Sequence, residues 1–312
     1  MRFSAQKKGK TLRLGEKRRN EILFLACLFA IPIIHKIVFY VGGNFNSFLL
    51  SFQQYDGEKY VFVGLKNFVD VFNELKNSEL LRSGFLNTVL LYVMETFLSI
   101  PLSLLCSYFV VKKVPGHGFL KVVFFLPGIV SGVVMTLMFG YFCEYAIPSM
   151  AKTIFGVDNF PLILVEYPYA FPMMLTYCLW VGFAGGIVLY VGSMSKVPDG
   201  VIDAAQIDGV SVMQEFWHVT MPTVYPMLSV FLITGLTALF IGGGPMFTFY
   251  QYKAPTYCYT VGYYMFKQTY GVDASPFTYP YPAAIGVVVT LIAAPLTFLL
   301  KYCLERFGPS ED

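Results

Sequence analysis

The chain has 312 residues, of which 56% are hydrophobic and only 13% are charged. Soluble domains usually carry about 25% charged residues, so this composition excludes an ordinary soluble protein and predicts an all-α membrane protein with several spans. The net charge of +3 is too small to indicate binding to nucleic acid.

The N-terminal segment 1–21 is a basic tail in front of the first apolar run. Its basic residues are Arg2, Lys7, Lys8, Lys10, Arg13, Lys17, Arg18 and Arg19. Such a block predicts a cytoplasmic N-terminus, because basic residues that flank a span stay on the cytoplasmic side. The apolar run Ile22–Val41 is long enough to cross a bilayer and too long for a cleaved signal peptide. We therefore predict an uncleaved first span with an outer extension over residues 22–52.

The remainder of the chain divides into an extracytoplasmic segment, 53–84, and a core of five further apolar runs, 85–307. The extracytoplasmic segment contains an amphipathic helical pattern at Leu65–Leu75. The predicted spans of the core are Phe85–Val111, Val122–Phe142, Phe171–Met194, Pro226–Phe249 and Pro282–Tyr302. Residues 144–170 are expected to form an outer loop, and 250–280 an outer segment with a helix around Tyr263–Lys267. Six spans place both termini, including the tail 308–312, in the cytoplasm.

A polar loop at 195–226 separates the fourth and fifth predicted spans. It carries four acids and, after Lys196, no basic residue; the acids are Asp199, Asp203, Asp208 and Glu215. A segment this polar cannot lie in hydrocarbon, so it must face water or another protein. Because loops on the cytoplasmic side are usually basic, the acidity of this one suggests a protein partner.

The local chemistry of this loop predicts two short helices. Pro198 suits the first turn of a helix, where its missing N–H costs nothing. Gly209 can adopt the positive φ of a helix end. Ser211 and Gln214 have the spacing of a capping box that starts a second helix, and we expect Pro222, followed by Pro226, to end it.

This order of residues resembles the EAA loop of ABC importer permeases, and IDGVSVMQEFWHVTMP, residues 207–222, is similar to the carbohydrate-importer branch in particular. The segment 51–68 also resembles the family. The residues that the resemblance assigns to the ATPase-coupling loop are Asp203, Ala204, Ala205, Asp208, Gly209, Phe216 and Pro222. Asp203 stands where the family usually has Glu, which keeps the charge but shortens its reach.

The resemblance implies the six-helix fold of type I ABC importer permeases, in a bacterial cell membrane. It implies the transmembrane subunit of an ATP-driven importer for a carbohydrate, most simply an oligosaccharide. The implied partners are membrane lipid, a second similar permease, two ATP-binding subunits and an extracytoplasmic solute-binding protein. The chain itself is then no enzyme and holds no cofactor, since ATP is bound by the partners. Its GKT sequence at 9–11 lacks the upstream glycine of a phosphate-binding loop.

Candidate residues of the substrate path come from polar, aromatic and glycine positions within the predicted spans. They are Glu95, Trp180, Phe183, Tyr190, Gly243, Gly244 and Pro245. Trp180 and Phe183 belong to a sequence that resembles the family's W-x-G-F, and Gly243, Gly244 and Pro245 to one that resembles its G-G-P segment. The G-G-P segment is expected to end the fifth span, either as the upper wall of the translocation cavity or as a helix-ending turn. Glu95 is the only acid well inside a predicted span, so it either binds a sugar hydroxyl or forms a structural pair with Lys36 or a second subunit. The aromatic rings suit the apolar faces of sugars, but they equally suit lipid contact or helix packing.

Other functions remain open from the sequence. A permease for a polyol or a phosphorylated glycerol would have the same architecture, although a phosphate calls for basic residues within the spans. An ion-coupled transporter would need more acids in the spans, and a membrane sensor or assembly factor would need only the docking loop. The six cysteines and three histidines show no metal-ligand or catalytic spacing, so no metal site and no catalytic residue is predicted.

Overall fold

The structure is a computed structural model that describes residues 2–240, 244–272 and 274–309, with side chains from Arg18 onward. Among these residues, six helices are long and apolar enough to cross a membrane. In chain order these first to sixth spans are Arg18–Leu50, Glu79–Val111, Gly132–Phe155, Ala170–Met194, Val212–Ala238 and Pro280–Phe307. The predicted fold class, an all-α protein with six spans, is confirmed.

The first span stands apart from the rest of the helical body. It continues the helix Arg2–His35 through a π-helical turn, Lys36–Val41, and then through Gly42–Leu50, so the two glycines of the last segment do not break it. This last segment packs on the sixth span, and none of the first span's most apolar stretch is buried.

Residues 53–77 form a small cap at one end of the body, here called the hairpin side, and the second span already begins at Glu79, inside the predicted segment 53–84. The elements of the cap are the antiparallel strands Gln53–Tyr55 and Tyr60–Phe62 and the helix Lys66–Asn77. The Asp56 carboxylate accepts the backbone N–H groups of Glu58 and Lys59 in the turn, and these bonds lower the pKa of Asp56. The predicted amphipathic helix is confirmed, whereas the two strands were not foreseen.

The segment between the fifth and sixth spans packs on the hairpin side. Its helices are Met246–Tyr250, Thr256–Cys258 and Val261–Tyr270, so the helix expected around Tyr263–Lys267 is present and longer. The Glu74 carboxylate accepts hydrogen bonds from the hydroxyls of Tyr264 and Tyr281. Burial, together with Glu74, raises the pKa of Tyr264 to about 12. These bonds tie the cap to the sixth span.

Three spans widen into a π-helical turn just before a proline. The turns are Glu95–Ser99, Phe142–Ala146 and Phe216–Thr220, followed by Pro101, Pro148 and Pro222 respectively. Proline lacks an N–H and its ring clashes with the carbonyl four residues earlier, and a widened turn relieves both. The expectation that Pro222 and Pro226 end the second loop helix is therefore wrong, since the helix runs on as the fifth span.

The predicted third span, Val122–Phe142, is divided in the structure. An apolar helix, His117–Ile129, ends in the extended backbone of Val130 and Ser131, and a new helix starts at Gly132. That helix continues to Phe155, where an outer loop was expected. Hydropathy could not reveal the break, because the flanking residues are equally apolar, and only the weak helix formers Ser131 and Gly132 mark it.

The fifth span also differs from its predicted bounds, Pro226–Phe249. It begins at Val212 and ends at Ala238. Gly244 has a φ of +58° and precedes Pro245, after which the short helix Met246–Tyr250 starts. The span therefore stops before the glycine-rich sequence, of which Gly244 and Pro245 are described. The fourth and sixth spans lie close to their predictions.

Candidate functional site

The 195–226 loop forms the two helix starts and the turn that its local sequence predicts, although its second helix continues into the fifth span. The helix Asp199–Ile207 is followed by Gly209, whose φ of +73° turns the chain. At Ser211 the predicted capping box forms: its backbone N–H donates to Gln214 Oε1 at 3.0 Å, and its hydroxyl accepts the Gln214 N–H at 3.4 Å. The two helices lie at the end of the helical body opposite the cap, here called the loop side.

The loop presents acidic and apolar side chains together. Three of its four acids, Asp199, Asp203 and Asp208, are exposed. The exposed apolar side chains beside them are Val201, Ile207, Val212, Met213 and Trp217. Of the assigned small residues, Ala204 is exposed and Ala205 half-buried. Contiguous apolar side chains at a surface mark a binding region, so this surface suits a protein partner.

The fourth acid of the loop, Glu215, anchors the second loop helix to the second span. It is 4% exposed, and its carboxylate forms an ion pair with Lys112 at the end of that span. One turn earlier, the Tyr108 hydroxyl donates to the Val212 carbonyl at 3.1 Å. The Phe216 ring is buried edge-on against Tyr108, with centroids 5.1 Å apart. The loop is thus attached to the second span as well as to the fifth.

A cavity of about 840 Å³ lies between the second, third, fourth and fifth spans. Three of the sequence-predicted path residues, Glu95, Gly244 and Pro245, line it. Gly243 lies outside the described residues. The lining also contains hydroxyl-bearing residues that the sequence reading did not select: Thr88, Tyr92, Ser131, Thr136, Tyr177 and Thr234. Thr136 and Tyr177 share a hydrogen bond of 2.7 Å.

A helical stripe in the sequence could have revealed part of this wall. Thr88, Tyr92 and Glu95 are spaced four and three residues apart, which places them on one face of the second span. All three line the cavity. Searching the spans for polar residues at helical spacing, rather than for aromatic residues, would have found them.

The predicted aromatic residues of the fourth span are not brought together in the large cavity. Trp180 is 41% exposed on the outside of the bundle, and Phe183 packs edge-on against Phe124 at 5.2 Å. Neither lines a described cavity. Tyr190 is buried and lines a second, smaller cavity together with Glu95. For Trp180 and Phe183, helix packing and surface contact fit the structure better than a place in the substrate path.

Glu95 does not form the predicted pair with Lys36. Within the described residues the ion pairs are Lys112–Glu215, Lys152–Asp158 and Lys301–Glu305. The Lys36 ammonium lies over the Tyr40 ring of its own helix, 3.9 Å from the centroid. The Glu95 carboxylate is therefore left facing the cavities without a charged partner from the described part of this chain.

Known proteins similar to this chain are transport permeases. The multiple sugar-binding transport system permease protein MsmF of Streptococcus mutans is 27% identical over 69% of this chain and 77% of its own length. The probable ABC transporter permease protein YurN of Bacillus subtilis is 27% identical over 94% of this chain and 99% of its own length. No protein-family model matches the chain.

A solved structure shares the fold. A chain of the bacterial alginate ABC transporter, crystallised in complex with an alginate pentasaccharide-bound periplasmic protein, superposes with a TM-score of 0.74 at 18% identity, covering 95% of this chain and 100% of that chain. Together with the relatives, this match confirms the resemblance to ABC importer permeases of the carbohydrate branch, and the chain is a multi-pass membrane protein.

Proposed function

We propose that this chain, a sugar ABC importer permease by its relatives and its fold, forms the membrane path for a neutral oligosaccharide and takes its energy from ATP-hydrolysing partners. The observation that carries the proposal is the 195–226 loop: a capped helical pair with three exposed acids among exposed apolar side chains. A surface of this kind outside a membrane bundle needs a soluble partner of complementary charge. MsmF is named as part of a multiple sugar-binding transport system, and this name supports a sugar as the substrate.

The proposed assembly has four kinds of component. Two ATP-binding subunits dock on the loop side, so this chain needs no cofactor of its own. A second, similar permease completes the path, and a solute-binding protein delivers the sugar on the hairpin side, as the periplasmic protein bound to the alginate transporter suggests. Both termini and the loop then lie in the cytoplasm, in agreement with the basic N-terminal tail.

In the proposed mechanism, the ATP-driven closure of the partner subunits moves the loop. The Lys112–Glu215 ion pair and the Tyr108 hydrogen bond link the loop to the second span. The second span carries Glu95 in the cavity wall, so displacement of the loop changes the shape of the cavity. Such rigid-body rocking between two arrangements opens the path to one side at a time.

The charge of the cavity wall favours a neutral sugar. The described lining of the large cavity contains one carboxylate, Glu95, and neither Lys nor Arg. A phosphorylated glycerol or an acidic sugar calls for a cation there, whereas the hydroxyls of a neutral sugar can donate to a carboxylate and bond with Thr and Tyr hydroxyls. A single acid also gives little basis for ion coupling.

Asp203→Ala and Asp203→Glu test the docking of the ATPase. The complex is produced with its partner subunits, and co-purification of the ATPase is measured together with ATP-dependent uptake into vesicles. Removing one member of a charged contact at an interface costs about 2 to 5 kcal/mol, which weakens association tenfold or more. We expect Asp203→Ala to lose ATPase and uptake, and Asp203→Glu to keep both.

The control for this test is Asp158→Ala, which removes an exposed acid away from the loop, paired with Lys152 at 3.0 Å. Uptake is assayed with maltotriose, raffinose, arabinotriose and trigalacturonate. Uptake of a neutral trisaccharide that requires ATP and the binding protein supports the proposal. If Asp203→Ala assembles like Asp158→Ala, the docking role of Asp203 is wrong. If trigalacturonate alone is taken up, the neutral-sugar assignment is wrong.

The proposed orientation is tested by labelling single cysteines in a cysteine-free variant. Lys59→Cys and Asp158→Cys are exposed positions expected outside, and Ser211→Cys is an exposed position expected inside. A membrane-impermeant maleimide added to intact cells should label the first two and spare the third. Opening the cells should make Ser211→Cys reactive, and labelling of Ser211→Cys before opening would contradict the orientation.

A further inference from the structure

The helix of the cap, Lys66–Asn77, has more apolar side chains than the helical body covers. Those that pack on the body are Phe68, Val71 and Leu75. Those that stay more than half exposed are Leu65, at the N-cap of the helix, Val69 and Phe72. These three exposed residues, here called the apolar strip, recur at intervals of four and three and therefore share one face of the helix. An exposed apolar face of this kind marks a contact with a partner or with a membrane.

The cap helix has three faces in a fixed order around its axis. At about 100° per residue, the apolar strip lies directly beside the face that packs on the body. The polar residues Lys66, Asn73 and Asn77, all exposed, lie beyond the strip. A helix between a protein core and water needs only two faces, one apolar and one polar. An exposed apolar face between the two is expected where protein, lipid and water meet.

A row of aromatic rings connects the cap helix to the apolar surface of the first span. The exposed Phe48 of that span lies with its ring centroid 5.1 Å from that of Phe52. Phe52 in turn contacts the exposed Phe62 of the hairpin, with centroids 6.4 Å apart, and Phe68 of the cap helix, with centroids 5.1 Å apart. The first span ends at Leu50. The cap helix therefore adjoins the end of a membrane span, which is where the surface of a bilayer lies.

Two exposed lysines stand at the ends of this helix. Lys66, in the first turn, donates from its ammonium to Gln54 Oε1 at 3.1 Å, and Lys76 lies in the last turn on the side of the strip. A lysine stem can lie along apolar surface while its ammonium reaches the phosphates of lipid headgroups. Apolar side chains on one face with lysines at the edge are typical of helices that lie in the plane of the membrane surface.

We propose that the cap helix lies in the headgroup region of the bilayer on the hairpin side, with the apolar strip of Leu65, Val69 and Phe72 in contact with phospholipid. The apolar face of such a helix enters the boundary between headgroups and acyl chains by about 5 to 10 Å. The contact holds the cap at a constant level on the membrane surface. This inference goes beyond the proposed function, because it requires neither a sugar nor an ATPase and rests only on the chain being a membrane protein.

Single cysteines in the cysteine-free variant test this contact. Val69→Cys and Phe72→Cys lie on the strip, and the matched controls Asn73→Cys and Asn77→Cys are equally exposed on the polar face of the same helix. Each carries an environment-sensitive fluorophore, and the complex is reconstituted in vesicles of phosphatidylethanolamine and phosphatidylglycerol. The two quenchers are iodide, present on both sides of the membrane, and phospholipid that is spin-labelled either at the headgroup end or at the far end of an acyl chain.

At the two strip positions we expect emission shifted to shorter wavelength and a loss of fluorescence with lipid that is spin-labelled near the headgroup, but little loss with iodide. The controls should show the reverse. Strong quenching of a strip position by iodide would show that the strip faces water, and the proposal would be wrong. Protection from both quenchers, or protection from iodide only after a binding protein is added, would assign the strip to a protein partner and also overturn it. A complex that takes up no sugar would refute the proposed function and leave these results intact.

Discussion

Glu215 and Glu95 are both carboxylates set against the helical body, and they meet opposite surroundings. Glu215 is enclosed, and its charge is paired with Lys112. Glu95 faces two connected cavities and has no ion-pair partner within the described residues. An enclosed charge must be paired, whereas a carboxylate in a cavity wall is open to a ligand. We therefore propose a holding role for Glu215 and a binding role for Glu95, which the variants below distinguish.

The largest expected effect follows from breaking the enclosed pair. Lys112→Met leaves Glu215 buried without its cation, which should destabilise the protein by about 3 kcal/mol, the lower end for such pairs because Lys112 is partly exposed. Thermal unfolding in detergent, followed by tryptophan fluorescence, measures the change. The double variant Lys112→Met/Glu215→Met should recover most of the loss, because no unpaired charge then remains.

The control for this pair is Lys301→Met, which breaks the exposed Lys301–Glu305 pair. An exposed pair contributes less than about 1 kcal/mol, so this variant should unfold near the wild-type temperature. If Lys112→Met is no less stable than Lys301→Met, the Glu215 carboxylate is not held by Lys112 in the way the structure indicates.

A smaller effect is expected at the turn that leads to Glu215. Gly209 has a φ of +73°, where a β-branched side chain costs about 1 to 2 kcal/mol. Gly209→Val should therefore lower the melting temperature modestly and displace the second loop helix, so that ATP is hydrolysed without coupled uptake. Gly200→Ala in the first loop helix is the matched control, since a Cβ there meets nothing within 4 Å and the backbone is helical. Normal coupling in Gly209→Val would contradict this assignment of the turn.

The smallest effect on stability, and a clear one on transport, is expected at Glu95. Glu95→Gln removes a charge that no described cation pairs with, so the melting temperature should stay the same or rise. Uptake of a neutral trisaccharide should nevertheless fall, because an amide is a weaker acceptor for sugar hydroxyls than a carboxylate. Parallel measurement of melting and uptake decides between a binding and a holding role. A marked loss of stability would show that Glu95 is structural after all.

Much of the loop could be predicted from the sequence because its determinants are local. The positive φ of Gly209 and the capping box of Ser211 and Gln214 depend on residues within one turn of each other. The surroundings of Glu215 are not local: Lys112 approaches it from another span, over a hundred residues away along the chain. The sequence therefore predicted a helical pair but gave no sign that one of its acids is buried.

The boundaries of the spans were harder to predict than their number. Apolar composition identifies six spans. It does not reveal that one helix breaks at Val130 within apolar sequence, or that another continues past Pro222. The candidate path was only partly found, because the aromatic residues of the fourth span were chosen by type. Whether Trp180 faces outward or inward depends on packing with other spans, which no local pattern specifies.

The widened turns next to the prolines also have a mechanical consequence. A helix bends most readily where its regular hydrogen-bond ladder is interrupted, as it is at a π-helical turn. One such turn, Phe216–Thr220, lies where the 195–226 loop enters the fifth span, and another, Glu95–Ser99, lies in the cavity wall. If the loop is displaced, we expect the second and fifth spans to bend at these two turns.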